Sequence, residues 1–348
     1  MYLSSRNKSR SPKYPCKPTT SNDLIRVLSI IIVLFALPFS AKAGKYNPLS
    51  VSPQETIKTH DLVVKDTSRQ RDIPVLVYIP AHNAPSPVVL FSHGLGGSRR
   101  GSSFLGKHWA ARGYVAVFVQ HPGSDESVWK NKPPFRRQAA MRKAANVRNT
   151  LLRFYDIPAV LDQLERWDKA DGHVLFGRMD LNRIGMSGHS YGAVTTQAVS
   201  GQQTKRSKTT FTDTRIKAAI IFSPSSPRKG NPKQAFGKVK IPWMLMTGTK
   251  DLAPVGKVDM TSRLAVFSAL PPGDKYEIVL YNAQHSAFTE RPLPGDKERR
   301  NPNHHRVISA LSTAFWDAYL RNDISARQWL NGHGPQTVME PKDRWQKK

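Results

Sequence analysis

The chain has 348 residues, with 53 Lys and Arg against 25 Asp and Glu, a formal net charge of +28. Its single cysteine, Cys16, lies near the start. The rest of the chain therefore has no disulfide, no cysteine metal site and no thiol nucleophile, and must be held by an apolar core. A charge of this size attracts polyanions such as nucleic acid, anionic lipid or acidic polysaccharide, although no nucleic-acid motif accompanies it and a solvated basic surface is the plainer reading.

Residues 1–26 carry Arg6, Lys8, Arg10, Lys13, Lys17 and Arg26 against one acid, Asp23. An apolar run from Val27 to Phe39 and then Ala41-Lys42-Ala43 follow. A basic start, an apolar centre and an A-x-A site are the parts of a secretory signal peptide, so cleavage is expected after Ala43. The alternative, an uncleaved anchor, would need about 20 apolar residues, and Pro38 interrupts the run. With the seven bases and one acid before Gly44 removed, 46 bases and 24 acids remain.

From Thr56 to Ile79, two alternating runs flank a polar turn and predict an antiparallel hairpin at a sheet edge. Six later runs are short and apolar with little alternation, the pattern of strands buried on both faces. They are Pro87 to Ser92, Tyr114 to Val119, Arg183 to Ser187, Ile216 to Phe222, Ile241 to Met246 and Tyr276 to Tyr281. Helical spacing occupies Ser102 to Arg112, Leu151 to Trp167, Tyr191 to Ser200, Ser262 to Leu270 and His305 to Leu320. Strand and helix in alternation predict an α/β fold, a mostly parallel sheet covered on both faces. No repeat or Gly/Ser linker divides residues 44–348, which read as a single domain with a C-terminal tail over 323–348.

Two segments fall outside the alternation. Residues 124–150 have seven bases and no acid between Lys130 and Arg148, and read as a basic, lid-like connection. Residues 223–240 form a second polar, basic connection. Both leave the carboxyl ends of strands, the edge at which open α/β sheets bind ligands.

The stretch Gly188-His189-Ser190-Tyr191-Gly192 fits G-x-S-x-G, the elbow in which a strand turns sharply into a helix beneath an exposed serine. A serine hydroxyl is a weak nucleophile until a histidine takes its proton, and a carboxylate holds that histidine. In folds using this elbow the chain order is Ser, then Asp or Glu, then His. Asp251 follows the Ile241 strand, and His285 follows the Tyr276 strand, so both are expected at the same sheet edge as Ser190. Asp259, Asp274, His304 and His305 are the rivals. The oxyanion of a tetrahedral intermediate needs fixed backbone donors. The amide of Tyr191 and that of Leu95, in the His93-Gly94-Leu95-Gly96 turn, are the candidates.

The blocks FSHGLGGS, GMSGHSYGA, TGTKD and NAQHSAF resemble the α/β-hydrolase superfamily, and within it the dienelactone hydrolase and platelet-activating-factor acetylhydrolase-like esterase branch. The resemblance covers residues 55–322. It implies Ser190 as nucleophile, Asp251 and His285 as its partners, and the Leu95 and Tyr191 amides as oxyanion hole. Dienelactone hydrolases proper carry cysteine where this chain has serine. Some acetylhydrolase relatives place the acid after the strand that follows the elbow helix, where this chain reads Phe222-Ser-Pro-Ser-Ser without one. Cutinase-type polyester hydrolases share two blocks but usually have a disulfide this chain cannot form.

The implied function is an exported serine esterase acting on short or medium acyl esters, without metal or organic cofactor. Polyesterase or phospholipid acetylhydrolase activity is the alternative, and a non-catalytic polyanion binder is the alternative of another class. The expected partners are a small or lipid-like ester and, through the basic segment, an anionic surface. No specific nucleic acid is expected, and a monomer is favoured.

Overall fold

The apolar runs become strands because their side chains alternate between two buried faces. Val88 and Leu90 pack on one side of the sheet, and Val89 and Phe91 on the other. A computed structural model describes residues 46–53, 57–203, 210–227, 229–253, 255–256, 258–293, 296–297 and 299–348. Residues 1–44 and 45–348 are separate units, and every described residue belongs to the second. The expected leader, residues 1–43, lies outside the described residues.

Among those residues the sheet has nine strands in the order β1-β2-β4-β3-β5-β6-β7-β8-β9. The hairpin β1 (Lys58–Asp66) and β2 (Arg71–Ile79) pairs antiparallel and joins β4 (Val115–Val119) antiparallel. β4, β3 (Ser86–Ser92), β5 (Met179–His189), β6 (Ile216–Phe222), β7 (Trp243–Lys250) and β8 (Lys275–Gln284) then run parallel. A short β9 (Arg344–Lys347) closes the far edge antiparallel to β8.

On one face α1 (Ser103–Ala111), α8 (Pro302–Leu320) and α9 (Ile324–Asn331) pack their apolar sides on the sheet around Trp109, Phe315 and Trp316. The indoles of Trp109 and Trp316 meet edge to face at 6.0 Å, and neither is exposed to solvent. On the other face lie α4 (Val147–Lys169), α5 (Tyr191–Val199), α6 (Pro232–Phe236) and α7 (Met260–Ala269). Both faces are thus covered, as the sequence pattern requires. Among the described residues no helix is long and apolar enough to cross a membrane.

The basic connection is largely helical. It folds into α2 (Ser127–Lys130) and α3 (Pro134–Ala144), and its last base, Arg148, belongs to α4. That helix starts at Val147, earlier than the apolar spacing suggests, because the Asn146 side chain accepts the Asn149 amide at 2.9 Å. Residues 323–348, read from sequence as a tail, supply α9 and β9.

Candidate active site

Ser190 stands between the last residue of β5 and the first of α5, with φ 58° and ψ −110°. A non-glycine residue in that region costs on the order of 1–3 kcal/mol, a strain met at ligand and catalytic sites. The turn is tight enough to demand glycine on both sides. A Cβ on Gly192 would fall 1.8 Å from the Ser92 carbonyl oxygen, and one on Gly188 2.4 Å from the Gly192 oxygen. The Ser190 amide is tied to the Phe222 carbonyl of β6 at 3.0 Å.

Two residues from neighbouring strand ends meet the serine. His285 follows β8 and places Nε2 2.8 Å from Ser190 Oγ. Asp251 follows β7 and places Oδ1 2.6 Å from His285 Nδ1. Because Nδ1 faces a carboxylate, the neutral ring carries its proton there, and Nε2 is left to accept from the serine hydroxyl. Asp251 is fully buried. Burial alone would raise its pKa, but the His285 ring and the Arg263 guanidinium hold it below the ordinary carboxylate range, so it is an anion.

The carboxylate is held on every side. Thr247 Oγ1 donates to Oδ2 at 2.8 Å, and Arg263 reaches Oδ1 at 2.9 Å. Arg263 also donates to the Asp251 carbonyl at 2.6 Å and to the Ser223 and Pro224 carbonyls at 2.8 and 3.0 Å. The His285 ring is walled by His189, whose ring centre lies 4.6 Å away. Burial, and then the neighbouring His285, push the His189 pKa well below the usual histidine range, which keeps this wall neutral.

The rivals lie elsewhere. Asp259 caps α7 through the Ser262 amide, and Asp274 accepts from the Tyr319 hydroxyl. His304 bonds the Tyr281 carbonyl, and His305 stacks on Phe104 at 3.7 Å.

Tyr191 and the His93-Gly94-Leu95-Gly96 turn carry the two expected backbone donors. Tyr191 is the first residue of α5, and a Cβ added to Gly94 would lie 3.4 Å from the Ser190 Cβ. In the Leu95 turn the Gly96 amide donates to the Ser124 carbonyl at 2.9 Å, and the Gly97 amide to the Gly94 carbonyl at 3.0 Å. The Gly94 carbonyl also accepts from His93 Nδ1 at 2.7 Å. That carbonyl shares its planar peptide with the Leu95 N–H, so the two grips on the oxygen fix the direction of the amide. The helical connection packs directly against this turn, with Trp129 Nε1 donating to the Gly96 carbonyl at 2.7 Å.

Among the described residues no group of His, Asp or Glu is arranged to hold a metal ion. The sequence reading missed Arg263 and a second buried cation, Arg153. Both occupy apolar-face positions of their helices, Arg263 one turn before Val266 and Phe267, and Arg153 one turn before Asp156 and Ile157. A base at core spacing was the available signal.

A strand-end serine, histidine and aspartate above a doubly covered, mostly parallel sheet define an α/β-hydrolase fold. The family model described as platelet-activating factor acetylhydrolase, isoform II, matches residues 74–151, which supports the esterase branch the sequence resembles. The matched segment runs from β2 into α4 and holds the Leu95 turn and the helical connection, not Ser190, Asp251 or His285. No curated protein matches the chain.

Proposed function

We propose that the protein is an exported serine hydrolase that cleaves carboxylic esters of short or medium acyl chains through an acyl-enzyme. One observation carries the reading: the unbroken relay from Asp251 through His285 to Ser190, with contacts of 2.6 and 2.8 Å. Ser190 Oγ attacks the ester carbonyl as His285 Nε2 takes its proton, and Asp251 stabilises the imidazolium. The amides of Leu95 and Tyr191 receive the oxyanion. His285 then returns the proton to the departing alcohol, and a water activated by the same nitrogen releases the acid.

Within this reading, a phospholipid-like or otherwise anionic interfacial ester is the second substrate class. The family match and the helical connection, which exposes Lys130, Lys132, Arg136, Arg142 and Lys143 beside the Leu95 turn, favour it. Rates on p-nitrophenyl esters of rising chain length test the proposal. The expected profile peaks at short or medium acyl groups. A flat profile at the rate of Ser190→Ala rejects the assignment. Export predicts an N-terminus at or near Gly44 in protein from its native source, and an intact Met1 rejects it.

A further inference from the structure

Arg153 is a large buried cation, 1 % exposed, with no ion pair to a carboxylate among the described residues. Its guanidinium donates to Ser124 Oγ at 2.9 Å, to Thr195 Oγ1 and Ser92 Oγ at 3.1 Å each, and to the His93 carbonyl. Its plane also lies over the Tyr191 ring, 4.6 Å from the centre. Taking a cation out of water is costly, and hydroxyls with one carbonyl repay it less well than a carboxylate. Such an arrangement needs a reason other than stability.

The acceptors supply one. The His93 carbonyl lies one peptide before the unit that carries the Leu95 N–H, while Thr195 and Tyr191 belong to the first turns of α5. One side chain therefore grips both structures that hold the two oxyanion donors. We infer that Arg153 is a positioning residue that sets the Leu95 turn and the start of α5 in register, so that both amides meet the oxyanion. The inference rests on the serine-esterase reading above.

A buried relay keeps the guanidinium in place. Ser92 Oγ lies 2.9 Å from His121 Nε2, and His121 Nδ1 lies 2.9 Å from Asp156 Oδ2. Arg71 and Arg69 close on the same carboxylate at 2.8 and 3.0 Å. With the His121 proton on Nδ1, the Ser92 hydroxyl donates to Nε2 and its oxygen is free to accept from Arg153. This second Ser–His–Asp array is a brace and not a second nucleophile, because all three side chains are 0 % exposed. Burial brings the Arg153 pKa down to about 10, so the group is still a cation at neutral pH.

An oxyanion exists only after attack, so misplacing its donors reduces kcat and leaves KM nearly unchanged. The test counts active sites in folded wild type, Arg153→Lys and Arg153→Met with a fluorophosphonate, then measures kcat per labelled site, KM and inhibition by a trifluoromethyl ketone. Lysine keeps the charge but lacks the fork. Expected is a roughly ten- to hundredfold fall in kcat for Arg153→Lys and a larger one for Arg153→Met, with KM within about threefold. The ketone should weaken in parallel with kcat/KM. Wild-type kcat per site in either folded variant overturns the inference, as does a loss confined to KM. Should both variants misfold, the double variant Ser124→Ala with Thr195→Val removes two of the grips. It should lose kcat severalfold, and wild-type kcat there also overturns the inference. Failure of the fluorophosphonate to label Ser190 in wild type would instead sink the esterase reading itself.

Discussion

The strained backbone at Ser190, with φ 58°, and the grip of His285, Thr247 and Arg263 on the Asp251 anion are the two residue-scale features on which the proposed chemistry rests. Asp251→Asn puts a carboxamide against His285 Nδ1, which favours the wrong tautomer and leaves the imidazolium without its counter-charge. On the proposed mechanism kcat falls by about a thousandfold or more, with KM little changed. Asp259→Asn and Asp274→Asn serve as controls and should keep kcat near wild type. A larger kcat loss in either control than in Asp251→Asn would move the acid elsewhere. That Ser190, Asp251 and His285 would meet at one sheet edge was legible, because each follows a buried apolar run by a few residues and strand-end placement is a local signal. Arg263 and Arg153 were not. Their acceptors, such as the Ser223 carbonyl for Arg263 and the His93 carbonyl for Arg153, lie far away in sequence and carry no side-chain signature.

At the scale of elements, the six buried strands and five long helices were readable from apolar periodicity, whereas β9 was not. Its four residues, Arg344–Lys347, are largely exposed; they pair with β8, and Trp345 stacks on Tyr276 at 5.5 Å. That pairing buries Glu277, whose Oε2 accepts from Gln346. Burial, partly offset by Gln346, Arg344 and Lys348, raises the Glu277 pKa to about 7 from 4.5. Below about pH 4.5 folded and unfolded chains both hold the proton and the group is neutral to stability. Between 4.5 and 7 only the folded chain keeps it. Stability therefore falls as pH rises through that window, by up to about 3 kcal/mol at pH 8. Glu277→Gln removes the ionisation. Denaturant melts should find the variant more stable than wild type at pH 8 and equal to it near pH 4. A variant less stable at pH 8 would contradict the account. The C-terminal edge would then depend on the charged form of Glu277.

Across the whole molecule the excess of basic residues is the feature least explained by the fold. Five of the bases lie on α2 and α3 with no acid in either helix, and Phe135 beside them is 78 % exposed. The structure separates two kinds of base there. Arg137 lies over the Trp129 ring at 5.3 Å, and Trp129 holds the Leu95 turn, so Arg137 belongs to the scaffold. Arg136, Arg142 and Lys143, and Arg148 at the start of α4, are exposed. Steering of anionic esters by these four should weaken as salt shortens the Debye length, which is about 10 Å at 0.1 M. Raising salt is expected to lower kcat/KM for an anionic ester severalfold while sparing a neutral ester of equal acyl length, and the four-fold Gln variant should lose that dependence. Equal salt responses for the two esters would leave the segment as ordinary solvated surface.

The central claim is that Ser190 carries the acyl group between two half-reactions. It is tested most directly by mixing enzyme with excess p-nitrophenyl acetate, quenching in acid within the first turnover and mapping the modified peptide by mass spectrometry. The account predicts a burst of p-nitrophenol equal to the enzyme present, an acetyl group on Ser190, and neither in Ser190→Ala. Acetylation of another residue, or turnover by Ser190→Ala at the wild-type rate, would contradict it.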